Sequence, residues 1–263
     1  MKQARERFLR WAPYGTHLDV NIAHATNVMR AITEVRSVAR RLGLTPYLGR
    51  IRDLVQRAKG DHTYEAGFDR ALISCVRPGD VAWDIGANVG LYTTRLSDAV
   101  GPSGCVVAFE PVPACFAELV RKSESRSNVI AHRLALSNEA RTAQMALKSD
   151  PLSTTNSLAN VEGANTVEVT VEVARELVAS GRVPAPNIVK IDVEGFEEEV
   201  IEGFGPILSA QSCRAFLIEV HFRLLDQRGR RQAPARILEV MRGAGFNVRW
   251  VDASHLEAVR SQN

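Results

Sequence analysis

Two carboxylates follow an apolar segment in the sequence NIVKIDVEGFEEEV, which runs from Asn187 to Val200. Asp192 ends the apolar segment, and Glu194 comes two residues later, where a helix is predicted to begin. In an open α/β sheet the ligand crevice lies outside the carboxyl ends of the strands, so a strand that ends at Asp192 places both carboxylates beside a bound ligand. A carboxylate there can accept the proton of a hydroxyl group. Asp192 is therefore predicted to act as a base or to hold the substrate.

Lys190 and His221 are predicted to lie near Asp192. Lys190 and Asp192 point to the same side of their strand, so the ammonium group would favour the ionised carboxylate. His221 ends the next apolar segment, LIEVH, and imidazole is the side chain best suited to accept a proton near neutral pH. A structural or surface role for His221 is an equal alternative, as is a role for Glu194 as a helix N-cap or in bracing the loop. The candidate catalytic residues are Asp192, His221, Glu194 and Lys190.

A metal-assisted reaction is a second possibility for this region. Asp192, Glu194 and Glu219 could hold Mg²⁺, because magnesium prefers oxygen ligands and could polarise a hydroxyl group. The spacing of these residues matches no recognised ligand pattern, so the sequence predicts no metal.

A glycine turn, DIGANVG, precedes an amphipathic segment earlier in the chain. Gly86 and Gly90 allow a tight turn and a close approach of a ligand to the backbone. The helix that follows offers free N–H groups at its N-terminus. Nicotinamide enzymes have G-x-G-x-x-G here because a pyrophosphate must fit, whereas this chain has Ala87 and Asn88. The difference disfavours a dinucleotide and leaves an NAD-linked oxidoreductase as an alternative.

Glu110 ends the next predicted strand, in the sequence GCVVAFEP. It lies 26 positions after Asp84, where a doubly wound fold presents a carboxylate to ribose hydroxyls. Asp84, at the end of the first strand, could orient the loop or bind the ammonium group of a ligand. Together the turn and the acid indicate a nucleoside ligand without a pyrophosphate, which fits S-adenosylmethionine.

These residues fall on an alternation of strands and helices that begins near residue 64. The strands are predicted in VAWDIG, CVVAFEP, VIAHRLAL, NIVKID, AFLIEVH and FNVRWVD, with helical segments between them. This alternation indicates an α/β fold, with a mostly parallel sheet and helices on both faces. The segments ARTAQMALKSD and TVEVTVEVA predict a hairpin-like insertion at the edge of the sheet. Exposed strands of this kind could pair between subunits, so a homo-oligomer is possible.

Composition and charge place the chain among globular proteins. Hydrophobic residues make up 45% and charged residues 24%, and no apolar run approaches the roughly 20 residues of a membrane helix. No secretory signal is recognised, and four cysteines without metal-ligand spacing indicate reduced thiols, so the expected location is cytoplasmic. Residues 1–60 contain 12 Lys and Arg but 4 Asp and Glu. We expect residues 1–62 to be a basic helical extension and residues 63–263 the main domain.

Four segments together resemble a known family. VAWDIGANVGLYTTRLS, GCVVAFEPVP, HRLALSN and NIVKIDVEGFEEEVIEG closely resemble the FkbM family of S-adenosylmethionine-dependent methyltransferases, over roughly residues 64–225. The resemblance implies a Rossmann-like class I methyltransferase fold with a seven-stranded sheet. It also implies O-methylation of a hydroxyl group on a sugar or natural-product small molecule.

By position, the resemblance also implies a cofactor site. Its loop around the methionine part would consist of Asp84, Gly86, Asn88 and Gly90. Glu110 would hold the ribose, and Leu134 and Ala135 would border the adenine. Ala87 and Pro111 complete the predicted cofactor-binding set.

Two further alternatives concern the acceptor. The basic N-terminal segment would suit a nucleic-acid methyltransferase, but the fourth strand lacks an N-P-P-Y-like block for stacking a flipped base, so nucleic acid is not the expected partner. Family members usually have a TLDEL-like segment where this chain has VARELV. If that difference reflects a lost acceptor pocket, the chain would bind the cofactor without turning it over.

Overall fold

A computed structural model describes residues 62–147 and 166–261. Residues 63–263 form one compact unit. The predicted helical extension lies outside the described residues except for its last residue, as does the loop between the two segments of the predicted hairpin. The extension therefore stays a prediction.

The described residues form ten strands: β1 (Val81–Ile85), β2 (Cys105–Phe109), β3 (Val129–His132), β4 (Ala135–Ser137), β5 (Arg141–Ala146), β6 (Thr166–Val173), β7 (Ile188–Ile191), β8 (Ala215–Glu219), β9 (Asn247–Trp250) and β10 (His255–Val259). Seven of them form a sheet in the order β3-β2-β1-β7-β8-β10-β9. β10 runs antiparallel to both of its neighbours, and the other pairs are parallel. The prediction of a mostly parallel seven-stranded sheet is confirmed.

The strand β10 was not among the strands read from the sequence. Its five residues include Glu257, which interrupts the apolar pattern. Glu257 is nevertheless buried, because Arg249 on the neighbouring strand β9 pairs with its carboxylate. That partner becomes visible only when the two strands are side by side.

The predicted hairpin is wrong in its placement. β5 and β6 do pair antiparallel, but they form a separate sheet in the order β4-β6-β5 and not an edge of the main sheet. The third strand partner comes from the segment VIAHRLAL, which was predicted as one strand. A turn between His132 and Leu134 divides that segment into β3 in one sheet and β4 in the other.

The described residues also form seven α-helices and one 3-10 helix: α1 (His62–Cys75), α2 (Leu91–Val100), α3 (Pro113–Ser123), α4 (Ala174–Ala179), α5 (Glu197–Phe204), α6 (Phe222–Gln227), α7 (Ala233–Gly243) and the 3-10 helix Gly205–Ser209. The helices predicted from periodicity after residue 62 are present. The helices α4 and α6 were not predicted, because six residues are too few to establish a helical period.

Helices cover both faces of the main sheet, because successive residues of a strand point to opposite sides. Ala82 of β1 packs with Leu72 of α1 and Leu96 of α2 in one buried cluster. The next residue, Trp83, belongs to another cluster, with Phe204 of α5. The carboxyl ends of β1, β2, β7 and β8 are thereby held at one edge of the sheet, where the predicted site residues lie.

Candidate active site

A cleft opens beyond the carboxyl ends of the parallel strands. Eight of the predicted site residues line it: Gly86, Asn88, Glu110, Pro111, Leu134, Ala135, Asp192 and Glu194. The five others do not appear among its lining residues in the described part of the chain: Asp84, Ala87, Gly90, Lys190 and His221.

The glycine turn passes directly beneath the end of β7. Gly86 has φ +77°, and a Cβ atom at this position would overlap with the carbonyl oxygen of Asp192. The N–H groups of Gly86 and Ala87 both donate to the carbonyl oxygen of Phe109, at 3.0 Å each. Gly86 therefore serves the close approach of β1 to β7, which a side chain would prevent.

Three more residues of the turn, Gly90, Asn88 and Ala87, help to shape it. Gly90 precedes α2 with φ +82°, and a Cβ there would lie 2.9 Å from a methyl group of Leu119 in α3. Asn88 has φ +50° without being glycine, and its Oδ1 accepts the N–H of Val89 at 2.7 Å. Ala87 is buried against Leu119. Of these three residues, Asn88 is the one that lines the cleft.

Glu110 is held by two backbone donors. The N–H of Asn88 donates to its Oε2 and the N–H of Val112 to its Oε1, both at 2.8 Å. Burial raises the pKa of Glu110 to about 7, although the two hydrogen bonds and the charge of Lys190 act against it. A carboxylate has about four acceptor positions, so two remain for the ribose hydroxyls. This geometry fits the predicted role.

The cleft continues beyond Glu110 between apolar side chains. Leu134 and Ala135, which were predicted to border the adenine, lie on this wall, and both are buried. The wall also includes residues that the sequence did not indicate: Val112, Cys115, Leu136 and Met145. An apolar slot of this kind fits a flat nucleobase, with the ribose next to Glu110. The residues present therefore fit a nucleoside cofactor.

A buried ion pair connects β1 to β7. Asp84 is fully buried, accepts the Thr93 hydroxyl at 2.6 Å and receives the Lys190 ammonium at 3.1 Å. Lys190 also donates to the carbonyl oxygen of Gly86 at 3.1 Å, and its Nζ lies 3.6 Å from Asp192 Oδ2. Of the two roles predicted for Asp84, this arrangement fits the one of orienting the loop.

The Lys190 side chain stays charged in this setting. Burial acts to lower its pKa, but the charges of Asp84 and Asp192 outweigh burial, and the pKa is raised. Lys190 therefore holds the glycine turn and Asp192 in place as a permanent cation. The sequence had predicted its link to Asp192, whereas its main partner is Asp84.

Four carboxylates surround the imidazole of His221. Its Nδ1 lies 2.7 Å from Glu197 Oε1, and its Nε2 lies 3.6 Å from Asp192 and from Glu194 and 3.9 Å from Glu219. Burial lowers the pKa of His221, but the Glu197 hydrogen bond and the charges of Glu197, Asp192 and Glu194 raise it to about 10. His221 is thus protonated in this arrangement at neutral pH. The expectation that it accepts a proton near neutral pH does not fit these surroundings.

Asp192 and Glu194 reach the cleft from a strained segment. Glu194 has φ +53° and Gly195 has φ +92°, so two consecutive residues are in the left-handed region. Such conformations in residues other than glycine concentrate at functional sites. Burial raises the pKa of Asp192, although the charges of Lys190 and His221 act against it.

Glu197 is the residue of this site that sequence reasoning missed. It stands in the run EEE at the start of α5, where acids in the first turn are ordinarily explained by the helix dipole. In the structure Glu197 is fully buried, and its Oε1 also accepts the N–H of Gly195 at 2.8 Å. Its neighbours Glu198 and Glu199 pair with arginines instead. The sequence contains no signal that separates the three acids.

The fold is an α/β fold with a mostly parallel seven-stranded sheet, and the cleft at its carboxyl edge fits a nucleoside cofactor. The sequence model of the family described as "Methyltransferase FkbM domain" matches residues 84–248, which is more than half of the chain. The chain therefore belongs to the FkbM methyltransferase family and is an enzyme that uses S-adenosylmethionine. The predictions of family, fold, enzyme class and cofactor are confirmed, and the match does not favour an oxidoreductase.

Two curated relatives carry named activities. The chain is 34% identical over 206 residues to the hexuronic acid methyltransferase AglP of Haloferax volcanii, covering 76% of this chain and 79% of that protein. It is 27% identical over 209 residues to the 31-O-demethyl-FK506 methyltransferase FkbM of Streptomyces tacrolimicus, covering 66% and 75%.

Likeness to solved structures is weaker. The precorrin-6y C5,15-methyltransferase of Geobacter metallireducens has a TM-score of 0.46 and 15% identity, covering 73% of this chain and 87% of that one. At this level the likeness carries no functional information. No helix in the described part of the chain is long and apolar enough to cross a membrane.

Proposed function

We propose that this enzyme methylates a hydroxyl oxygen of a sugar or of another small natural product. The observation that carries the proposal is that Asp192 and Glu194 line the same cleft as Glu110. Two carboxylates at the open end of a nucleoside site are suited to an acceptor that must lose a proton. The names of the two curated relatives, a hexuronic acid methyltransferase and a methyltransferase of an O-demethylated natural product, support this substrate class.

The cofactor supplies the methyl group on a sulfonium, and the chain supplies the positions. The acceptor oxygen must lie opposite the sulfur, about 3 Å from the methyl carbon, and holding it there provides much of the rate. Asp192 is 29% exposed and faces the cleft beside the fully buried Lys190. In this proposal Asp192 binds the acceptor hydroxyl, and the carboxylate pair Asp192 and Glu194 receives the proton as the new C–O bond forms.

The raised pKa of Asp192 suits this role, because a carboxylate with a higher pKa is a stronger base. Lys190 fixes the orientation of Asp192 from the buried side. The N–H groups of Asn88 and Val112 hold the Glu110 carboxylate. Glu110 in turn holds the ribose, which sets the position of the methyl donor relative to Asp192.

The test is a methyl-transfer assay with labelled donor on three acceptors: a hexuronic acid glycoside, the matching neutral hexoside and a polyketide with free hydroxyls. Alkaline treatment of the products separates a methyl ether, which survives, from a methyl ester, which is hydrolysed. A stable product supports the proposal. Label that is lost in base would mean that a carboxyl oxygen is methylated.

The Asp192→Asn variant tests the assignment of the carboxylate. We expect turnover to fall by about 10²–10⁴-fold, the usual contribution of a positioned base, while S-adenosylhomocysteine still binds. Glu118→Gln, a change on the exposed surface of α3, is the matched control. If Asp192→Asn abolished binding but left turnover per bound cofactor intact, the assignment would be wrong.

We also propose a cytoplasmic location and keep the homo-oligomer as a prediction. All four cysteines are free thiols, which supports a reducing compartment. The edge strand β5 begins with the exposed residues Arg141 and Thr142, which leaves a route for pairing between subunits. Analytical ultracentrifugation would measure whether the protein forms a homo-oligomer.

A further inference from the structure

Three donor atoms converge next to the cleft, which one of their residues, Asp192, lines. One atom each from Asp192, Glu219 and His221 lies within 4.8 Å of the others. His221 Nε2 is 3.6 Å from Asp192 Oδ1 and 3.9 Å from Glu219 Oε1, which is too far for hydrogen bonds. The three atoms therefore face one another across a gap.

The size of this gap fits a metal ion. A cation with ligands at about 2.1 Å holds cis donor atoms about 3 Å apart and trans donor atoms about 4.2 Å apart. The separations of 3.6 and 3.9 Å from His221 Nε2 to Asp192 and Glu219 lie between these two values. Two carboxylates and one imidazole suit a divalent transition metal such as Mn²⁺ better than Ca²⁺, which takes oxygen ligands.

The side chains behind the three donors hold them as metal ligands are usually held. Glu197 Oε1 lies 2.7 Å from His221 Nδ1, so that Nε2 is the nitrogen that faces the gap. His255 Nε2 lies 3.5 Å from Glu219 Oε2, and Asp252 is 2.8 Å from the other nitrogen of His255. Ligating imidazoles and carboxylates commonly have such outer partners.

The charge around the gap also favours a cation. Four carboxylates lie within 3.9 Å of the His221 ring nitrogens: Asp192, Glu194, Glu197 and Glu219. Lys190 is shared with Asp84, and His255 is shared with Asp252.

We propose that Asp192, Glu219 and His221 bind one divalent cation of the Mn²⁺ type, which takes the place of the proton on His221 Nε2 and whose open positions take the acceptor hydroxyl. The use of the ion in methyl transfer rests on the proposed function, whereas the binding of the ion does not. In the reaction the bond between oxygen and the methyl carbon forms and the bond between sulfur and that carbon breaks. The hydroxyl proton, made more acidic by the cation, goes to Glu194, whose Oε2 lies 3.6 Å from His221 Nε2.

The experiment titrates the full chain, freed of metal with a chelator, with Mn²⁺ by calorimetry and by electron paramagnetic resonance. We expect one site per chain, and at least about tenfold weaker Mn²⁺ binding in Glu219→Gln and in His221→Ala, because each loses a ligand. Glu118→Gln is the control and should bind Mn²⁺ as the unchanged protein does. S-adenosylhomocysteine binding, measured in each variant, establishes that the cofactor site is folded.

Two results would overturn the inference. One is no saturable Mn²⁺ binding, and the other is binding that Glu219→Gln and His221→Ala leave unchanged. Methyl transfer is measured in parallel with and without chelator, so the two proposals fail separately. Transfer to a hydroxyl without metal would refute the role of the ion, while Mn²⁺ binding without transfer to any hydroxyl would refute the proposed function.

Discussion

Removal of the Lys190 ammonium is the most demanding test of how this site is built. Asp84 is fully buried, and its two oxygens are held by Lys190 and Thr93. In Lys190→Met the Asp84 carboxylate keeps the Thr93 hydroxyl but loses its counter-charge. Breaking a buried pair by removing one partner costs about 3–5 kcal/mol, because an uncompensated charge stays buried. We expect the free energy of unfolding to fall by that amount.

The assay is urea unfolding, followed by far-ultraviolet circular dichroism, of the unchanged protein and three variants. The first two are Lys190→Met and Asp84→Asn, and the third is the double variant. The double variant removes both charges, so it should recover a large part of the stability that Lys190→Met loses. Since total stabilities are about 5–15 kcal/mol, the double variant keeps the test readable even if Lys190→Met is largely unfolded.

The result that would refute this reasoning is a loss below about 1 kcal/mol in Lys190→Met, the range of an exposed pair. A double variant that is no more stable than Lys190→Met would refute it as well, because the charge of Asp84 would then not be the cause. The same variants should bind S-adenosylhomocysteine more weakly, since Lys190 also holds the carbonyl oxygen of Gly86.

Two further predictions concern the cofactor side. Burial raises the pKa of Glu110 to about 7, so folding without ligand favours the neutral acid. The free energy of unfolding should therefore fall as the pH rises from about 4.5 through 7, where the unfolded chain loses the proton that the folded chain keeps. Ribose binding favours the carboxylate, so the affinity for S-adenosylhomocysteine should fall below pH 7 by up to about tenfold per pH unit. In calorimetric titrations Glu110→Gln should bind S-adenosylhomocysteine weakly, and its affinity should not depend on pH in this way. Affinity that is independent of pH in the unchanged protein would contradict this. In the same urea assay Gly86→Ala should lower the free energy of unfolding by more than about 3 kcal/mol, because its Cβ meets the Asp192 carbonyl. Gly181→Ala, at φ +71° with open space around it, should lower it by only about 1 kcal/mol. Equal losses would mean that the clash at Gly86 is relieved.

The sequence predicted the elements that have strong local patterns. The strand VAWDIG was recognisable as a short apolar run after a turn, and the helix LYTTRLSDAV by the helical spacing of its apolar residues. β10 and the break between β3 and β4 were not. Glu257 interrupts the apolar pattern of β10. The break between β3 and β4 depends on which sheet each half of VIAHRLAL joins. Both were decided by neighbours distant in sequence.

The candidate site divides in the same way. The positions of Asp192 and Glu110 at strand ends followed from local pattern and from the rule that ligands bind at the carboxyl ends of parallel strands. The residues that pair with these acids could not be inferred from the sequence in the same way. Lys190 lies near Asp192 in sequence but donates to Asp84, which is 106 positions away, and the importance of Glu197 arises from His221, 24 positions further on.

By itself, the sequence determined the α/β class, the family and the acids that lie at the edge of the sheet. Periodicity, turn residues and motif spacing are local properties, and they are present before the chain folds. The tertiary structure alone decided which acids are neutralised and which face the cleft. Burial and charge pairing depend on the residues that surround each side chain in space, so Asp84 became a structural acid, His221 became a cation, and Asp192 and Glu194 were left facing the cleft.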